Sequence, residues 1–159
     1  MTLVNVNTAK EMHQACLSCL PVNIAICAAA VADWYVVNVS AEKHKKQGQE
    51  QPQIELGENP DILASLSQHE NRPHLVIGFA AETENIARHA EAKRARKKCD
   101  WIVANWVGGT GKAAVFGQDS NHVTMLDYTG AHDWPRASKT EIAITLTQKI
   151  EAWFDDHQS

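Results

Sequence analysis

Long apolar runs are missing from this chain. The longest, Ile24 to Ala32, is broken by Asp33 and reaches only about half of the ~18 residues that a membrane-spanning helix needs. No membrane association is therefore expected. The first residues, MTLVNVNTAKEMHQ, lack the basic region and apolar stretch of a secretory signal, so a cytoplasmic chain is expected. Cysteine is sparse, and Cys16, Cys19, Cys27 and Cys99 are expected to be reduced thiols in that compartment. An excess of cations is missing too. The net charge is -4 and the pI near 6.0, which leaves no basic footprint for nucleic acid.

Several catalytic signatures are absent as well. There is no H-E-x-x-H and no G-x-S-x-G, so neither a zinc protease nor a serine-nucleophile elbow is indicated. No G-x-G-x-x-G is present, which argues against a nicotinamide-dependent oxidoreductase. Nothing between Thr2 and Thr8 is rich in glycine, although doubly wound nucleotide-binding folds place their phosphate loop after the first strand. The segment Gly108 to Lys112 (GGTGK) imitates a P-loop and fails: Trp106 stands where the first glycine belongs, and Ala113 replaces the magnesium-binding Ser or Thr. Cys16-Leu-Ser-Cys19 has redox-pair spacing but falls near a helix end, where the dipole does not lower a thiol pKa. It is read as two helix cysteines.

What is present describes one globular unit. The chain has 159 residues, 44% hydrophobic and 21% charged, enough apolar content for a core and too little net charge for disorder. Short β-rich runs alternate with helical stretches, which predicts an α/β fold with a largely parallel sheet. Thr2 to Val6 is a strand candidate. Thr8 and Glu11 form a capping box that opens a helix to about Leu20, ended by Pro21. Val22 to Ala28 reads as a strand covered on both faces, and Gln47 to Gln53 as a polar loop. Gln53 to Leu56 is a further short strand. Asn59-Pro60-Asp61 is read as N-cap, first helical residue and first-turn acid of a helix to about His69. His74 to Ala80 and Asp100 to Asn105 are buried strands. Between them Glu84 to Lys98 is a helix, acidic at its start and basic at its end. Gly108 to Gly117 is a glycine-rich loop, Asn121 to Tyr128 an edge strand, and Ser138 with Glu141 a second capping box for a helix to about Asp155. Trp101 and Trp153 are expected in the core.

Two features point to an anionic ligand. Small residues from Ala28 to Ala32, then Asp33 and Trp34, follow a buried strand, where ligands of open α/β sheets bind. Asp33 at that place suits a metal ion or a ribose hydroxyl. Nine of the chain's 15 Lys and Arg cluster in two places: Lys43, Lys45 and Lys46, and then Arg88, Lys93, Arg94, Arg96, Lys97 and Lys98. Lys93 and Lys97 share a helix face. Such concentration in an acidic chain suits a polyphosphate, although a solvated face explains the helix equally well.

The segments AAAVADW (28–34), AEKHKK (41–46), NPDIL (59–63), GFAAETEN (78–85), KRARK (93–97) and DWIVAN (100–105) occur in that order. Together they resemble the phosphopantothenoylcysteine synthetase family, the phosphopantothenate–cysteine ligase domain of bifunctional bacterial coenzyme A biosynthesis proteins. The resemblance runs from about Val4 to Asp155. It implies a Rossmann-like, mostly parallel sheet flanked by helices, with an edge strand and a C-terminal helix. It implies coenzyme A biosynthesis, in which CTP activates 4′-phosphopantothenate as an acyl-cytidylate and the cysteine amine displaces CMP. Magnesium and CTP are implied, and no flavin in this segment. The implied partners are CTP, 4′-phosphopantothenate and cysteine, a second copy in a homodimer, and a fused flavin-dependent decarboxylase domain.

Residue by residue, Cys27, Ala28 and Ala29 match the strand end whose backbone meets CTP. Asp33 matches the aspartate at the nucleotide and its metal. Lys43 matches the catalytic lysine of a flap that Lys45 and Lys46 complete, and it also contacts CTP. Pro60, Asp61, Ile62 and Leu63 match the segment lining the nucleotide site. Phe79 matches the phenylalanine beside the nucleotide, and Lys93 and Lys97 the lysines of the basic helix. The family's synthetase domain opens with a strand, a G-G-T loop and an S-G-K-M-G segment, and the resemblance here begins after these. Residues 1–159 are thus expected to form a single, N-terminally incomplete CTP-binding synthetase domain. The alternative is a truncated, inactive module that keeps CTP binding and dimerisation.

Overall fold

The computed structural model describes residues 1–38, 53–82, 85–107 and 120–157. The expected flap lysines Lys43, Lys45 and Lys46, most of the polar loop at 47–53, Glu84 and the 108–117 glycine-rich loop lie outside the described residues. Among the described residues no helix is long and apolar enough to cross a membrane.

The centre is a five-stranded mixed sheet in the order β1-β4-β5-β6-β7. β1 (Ile24–Cys27), β4 (Leu75–Glu82) and β5 (Trp101–Trp106) run parallel. β6 (Ser120–Asp127) and β7 (Gly130–Ser138) extend the sheet antiparallel. Helices α1 (Ala9–Ser18), α2 (Ile62–Ser67), α3 (Ile86–Lys97) and α4 (Lys139–His157) complete the fold. A small antiparallel ribbon, β2 (Trp34–Val36) with β3 (Leu56–Glu58), stands apart from the sheet.

Strand periodicity decides the core. Successive side chains point to opposite faces, so β4 sends Leu75 and Ile77 one way and Val76 the other. Trp101 and Val103 of β5, with Val123 and Met125 of β6, join Leu75 and Ile77 in a cluster with Ile142 and Leu146 of α4. Val76, Ile102, Ala104 and Leu126 form the opposite cluster with Leu63 of α2 and Ala90 of α3. Both faces of β4 and β5 are covered, which is why these runs are almost continuously apolar.

The capping boxes form as the sequence predicts. The Glu11 N–H donates to Thr8 Oγ1 (3.1 Å), and the Thr8 N–H donates back to Glu11 Oε2 (3.0 Å). Ser138 and Glu141 repeat the exchange at the start of α4. Trp101 is buried and Trp153 packs against the first cluster.

Other expectations are corrected. Thr2 to Val6 is not a strand, because it pairs with nothing among the described residues and an isolated strand has no ladder to hold it. β1 is not covered on both faces. It lies at the sheet edge, and Ile26 is 48% exposed. The short strand expected at Gln53 to Leu56 falls instead at Leu56–Glu58. Asp61, not Asn59, caps α2, its Oδ1 accepting the Ala64 N–H at 3.0 Å. The first turn of α3 carries no acid, whereas Arg94, Arg96 and Lys97 do fall in its last turn. β6 is internal, and β7 is the edge. Its Pro135 sits where the β6–β7 register shifts, a position where a missing N–H donor is tolerated.

The β6–β7 turn is closed by Asp127, whose Oδ1 accepts the Thr129 N–H (2.7 Å), the Thr129 hydroxyl (2.6 Å) and the Gly130 N–H (3.2 Å). Gly130 has φ +132°, a conformation that side chains disfavour. Burial opposes ionisation of Asp127, but the hydrogen bonds of Thr129 and His132 outweigh it and hold the carboxyl below the usual range. Its contribution is therefore present above the unfolded carboxylate pKa of ~3.9 and is lost as the pH falls through the lower folded value. Asp127→Asn should flatten the acid limb of a stability-against-pH curve below about pH 4. An unchanged limb would remove Asp127 from that role.

At Gly78 the Leu63 side chain of α2 packs directly on the β4 backbone. A Cβ there would lie 2.5 Å from Leu63 Cδ2. Gly78→Ala should cost ~1–3 kcal/mol by overpacking, read as a lowered urea midpoint at unchanged slope.

Candidate nucleotide-binding cleft

Backbone pairing brings two distant segments together. β2 and β3 pair with Trp34 opposite Glu58 and Val36 opposite Leu56. Beyond the pair, the Asn59 N–H donates to the Asp33 carbonyl at 2.8 Å, and the Asn59 side chain donates to the Ala32 carbonyl at 2.9 Å. The loop after β1 is thus held beside the loop that enters α2. Tyr35 lies across Gly57, where any Cβ would collide with its ring at 2.7 Å. Lys10 of α1 sits 4.1 Å above the same ring, a cation–π contact.

Between these segments and the carboxyl end of β1 opens a cleft of about 660 Å³, a volume suited to a small ligand. Cys27, Ala28, Ala29 and Asp33 line one side, and Pro60, Asp61, Ile62 and Leu63 another. Phe79 of β4 and Lys93 and Lys97 of α3 complete it. Every residue that the family resemblance matches to CTP lines this cleft, apart from Lys43, which lies outside the described residues; Arg88, Arg94, Arg96 and Lys98 of the basic cluster do not line it.

The two lysines approach from one face of α3. Lys93 Nζ donates to the Phe79 carbonyl at 3.2 Å. Lys97 Nζ donates to Asp61 Oδ2, forming an ion pair. Asp61 thus works in two directions, capping α2 with one oxygen and holding Lys97 with the other. Burial alone would raise its pKa. The Lys97 and Ala64 hydrogen bonds and the charge of Arg96 overcome this and hold it below the ordinary value.

Burial first, then Cys16 and Asp61, push the Cys27 thiol up to about 11, so it stays protonated near neutral pH. Burial, aided by Cys19, also raises Cys16; of the pair read as helix cysteines, Cys16 lies in α1 and Cys19 is its C-cap residue. Among the described residues no group of three or more His, Cys, Asp or Glu side chains is arranged to hold a metal. An ion at Asp33 would need ligand oxygens for most of its coordination shell, which is how magnesium usually binds.

Met12, Cys16, Glu58 and Asn59 also line the cleft, and none of them is singled out in the sequence for a ligand. For Asn59 a signal existed but pointed elsewhere: in Asn-Pro-Asp both flanking residues are good caps, and the proline does not say which is used.

The sequence pattern of the DNA/pantothenate metabolism flavoprotein C-terminal domain matches residues 1–154. The chain belongs to this family. The coenzyme A biosynthesis bifunctional protein CoaBC of Haemophilus influenzae is 38% identical over 148 residues, covering 92% of this chain and 36% of that protein. The CoaBC of Vibrio cholerae is 37% identical over 150 residues, covering 92% and 37%. The chain thus spans little more than a third of the length of these relatives. A crystal structure of a CoaBC C-terminal domain superposes with a TM-score of 0.73 at 31% identity, over 98% of this chain and 69% of that one. The α/β architecture, with its mixed sheet flanked by helices, is that of this CoaBC domain.

The double role of Asp61 separates two substitutions. Asp61→Ala should lower stability by about 1 kcal/mol through loss of the cap, whereas Asp61→Asn, which caps as well, should change it little. Equal losses on denaturant titration would show that the Lys97 pair, not the cap, carries the stabilisation.

Proposed function

We propose that this chain is the nucleotide-binding part of a phosphopantothenate–cysteine ligase, acting in coenzyme A biosynthesis with CTP as co-substrate. One observation carries the reading: residues scattered from Cys27 to Lys97 and matched to a CTP site by their motifs converge on a single cleft. Family membership and the CoaBC relatives support the same direction.

In this reading the small residues Ala28 and Ala29 let backbone groups approach the nucleotide. Pro60 to Leu63 and Phe79 form the wall, and Asp33 faces the ribose or a bound metal. Lys93 and Lys97 supply positive charge, and Lys43 is the lysine that acts on the reacting phosphate. A carboxylate is a poor electrophile until it carries a good leaving group. Transfer of cytidylate to 4′-phosphopantothenate releases pyrophosphate and makes that leaving group, and attack by the cysteine amine then expels CMP. Charge neutralisation dominates the first step, because two anions must meet. Magnesium, when bound through the phosphates with Asp33, would add Lewis-acid stabilisation of the developing charge.

A second reading, a CTP-binding and dimerisation module without turnover, draws on a different observation. Trp34, Val36 and Leu56 share one face of the β2–β3 ribbon, and each is 40% exposed or more. Contiguous apolar exposure marks surfaces that partners cover.

A thermal-shift titration with CTP, ATP, GTP and NADH, with and without magnesium, tests the proposal. CTP with magnesium should stabilise the chain by ~2.7 kcal/mol at 100-fold excess over Kd. A cooperative melt that CTP does not shift would overturn it. Pyrophosphate release in the presence of 4′-phosphopantothenate and cysteine then separates the readings: release supports the ligase, and binding without release supports the module.

A further inference from the structure

One stretch of the cleft wall is lined by sulfur. Met12 and Cys16 reach it from α1, and Cys27 from the end of β1. Met12 and Cys16 are four residues apart on one helix, which puts their Cβ atoms about 5–6 Å apart on one face. Cys27 belongs to the same layer. Strand alternation turns its side chain toward the cluster of Leu63 and Val76. That is the side of the sheet on which α2 lies, and α1 packs against α2. The thiols also feel one another, since a charge on Cys16 opposes ionisation of Cys27. All three residues are half-buried, and both thiols are free.

We propose that Met12, Cys16 and Cys27 form a site for a soft monovalent metal ion, Cu(I) or Ag(I). Donor chemistry chooses the ion. Two thiols and a thioether are soft ligands that select Cu(I) over harder cations, and such ions are satisfied by two or three sulfurs. Zinc takes four ligands from thiolate, imidazole and carboxylate, and the described residues hold no group of three such side chains. A coordinating thiol gives up its proton, whereas the thioether has none to lose. Cu(I) held by two thiolates is therefore a monoanion, formed with release of two protons. Lys93 and Lys97 line the same cleft and offset that charge. Helix α1 fixes two donors and the sheet fixes the third. Cys19 is exposed at the C-cap of α1 and does not line the cleft, which makes it the control. The inference rests on the geometry of the cleft and not on the nucleotide reading.

The test is anaerobic competition for Cu(I) between the whole reduced chain and bicinchoninate, read as loss of colour of the bicinchoninate complex. The wild type should take up one equivalent. Cys16→Ser and Cys27→Ser should each weaken uptake by about 100-fold or more, beyond the ~10–100-fold that outer partners of a metal site are worth. Met12→Leu should weaken it by about tenfold, because a neutral thioether is the weakest of the three donors. Cys19→Ser should change nothing. A second measurement needs no variant: X-ray absorption at the copper edge of the loaded wild type should show a first shell of sulfur alone. No uptake by the wild type, a nitrogen or oxygen donor in that shell, or unchanged affinity in Cys27→Ser or Met12→Leu would overturn the inference. So would loss of uptake in Cys19→Ser, which would place the ion on the surface pair of α1. CTP binding can succeed or fail independently of each of these outcomes.

Discussion

The structure depends on two adjacent strands that are buried on both faces. Leu75, Val76 and Ile77 of β4 and Ile102, Val103 and Ala104 of β5 are fully shielded from water. Each of the Leu, Val and Ile side chains contributes roughly 1.5–3 kcal/mol when fully buried, and neighbouring residues deliver it to opposite layers. That leaves the strands no freedom of register, since a slip of one residue would exchange the two sets. The carboxyl end of β4, and of β1 paired to it, is fixed as a consequence. The cleft is built against that end.

Helix ends then place the charges. α3 packs on the sheet through the fully buried Ala90, which shares one core cluster with Ala80 and Ala104 of the strands. It terminates at Lys98, which adopts a left-handed conformation (φ 56°) and returns its N–H to the Arg94 carbonyl at 2.8 Å. The last turn, with Lys97, is thereby set opposite the first turn of α2. Asp61 joins the two helices electrostatically at the point where both touch the cleft. At the far end of β5 a parallel device operates: Asp100 accepts both the Arg72 guanidinium (2.5 Å) and the Val76 N–H (2.7 Å), tying the entry of β4 to the entry of β5.

Local signals were readable in the sequence wherever a single segment carries its own physics. The Thr8–Glu11 and Ser138–Glu141 boxes are satisfied within four residues, so no tertiary information is needed to see them. The apolar runs of β4 and β5 are equally self-evident. Strands that exist only through a partner were not readable. β2 is three residues, Trp34–Val36, and β7 buries Trp134 alone among its nine residues. Both are defined by pairing, which leaves little trace in composition. The same reason runs in reverse for Thr2 to Val6, which has strand composition and no ladder. Much of the lining of the candidate cleft was legible because its motifs are contiguous and their order is distinctive. Asn59 escaped because its role lies across the ribbon, in hydrogen bonds to the Ala32 and Asp33 carbonyls.

The ribbon also has an entropic consequence. Its last rung, from the Val37 N–H to the Glu55 carbonyl at 3.0 Å, joins the two points at which the intervening chain leaves the ribbon and returns to it. Lys43 is six residues beyond Val37, so covalent reach alone confines its backbone to within about 20 Å of that rung. In the proposed reading, a Lys43 side chain on this tether would meet a bound nucleotide at an effective concentration that no free lysine in solution could match. Three residues of β2 paired with three of β3 thus convert an encounter between separate segments into a search over a small volume, whatever path the intervening chain takes.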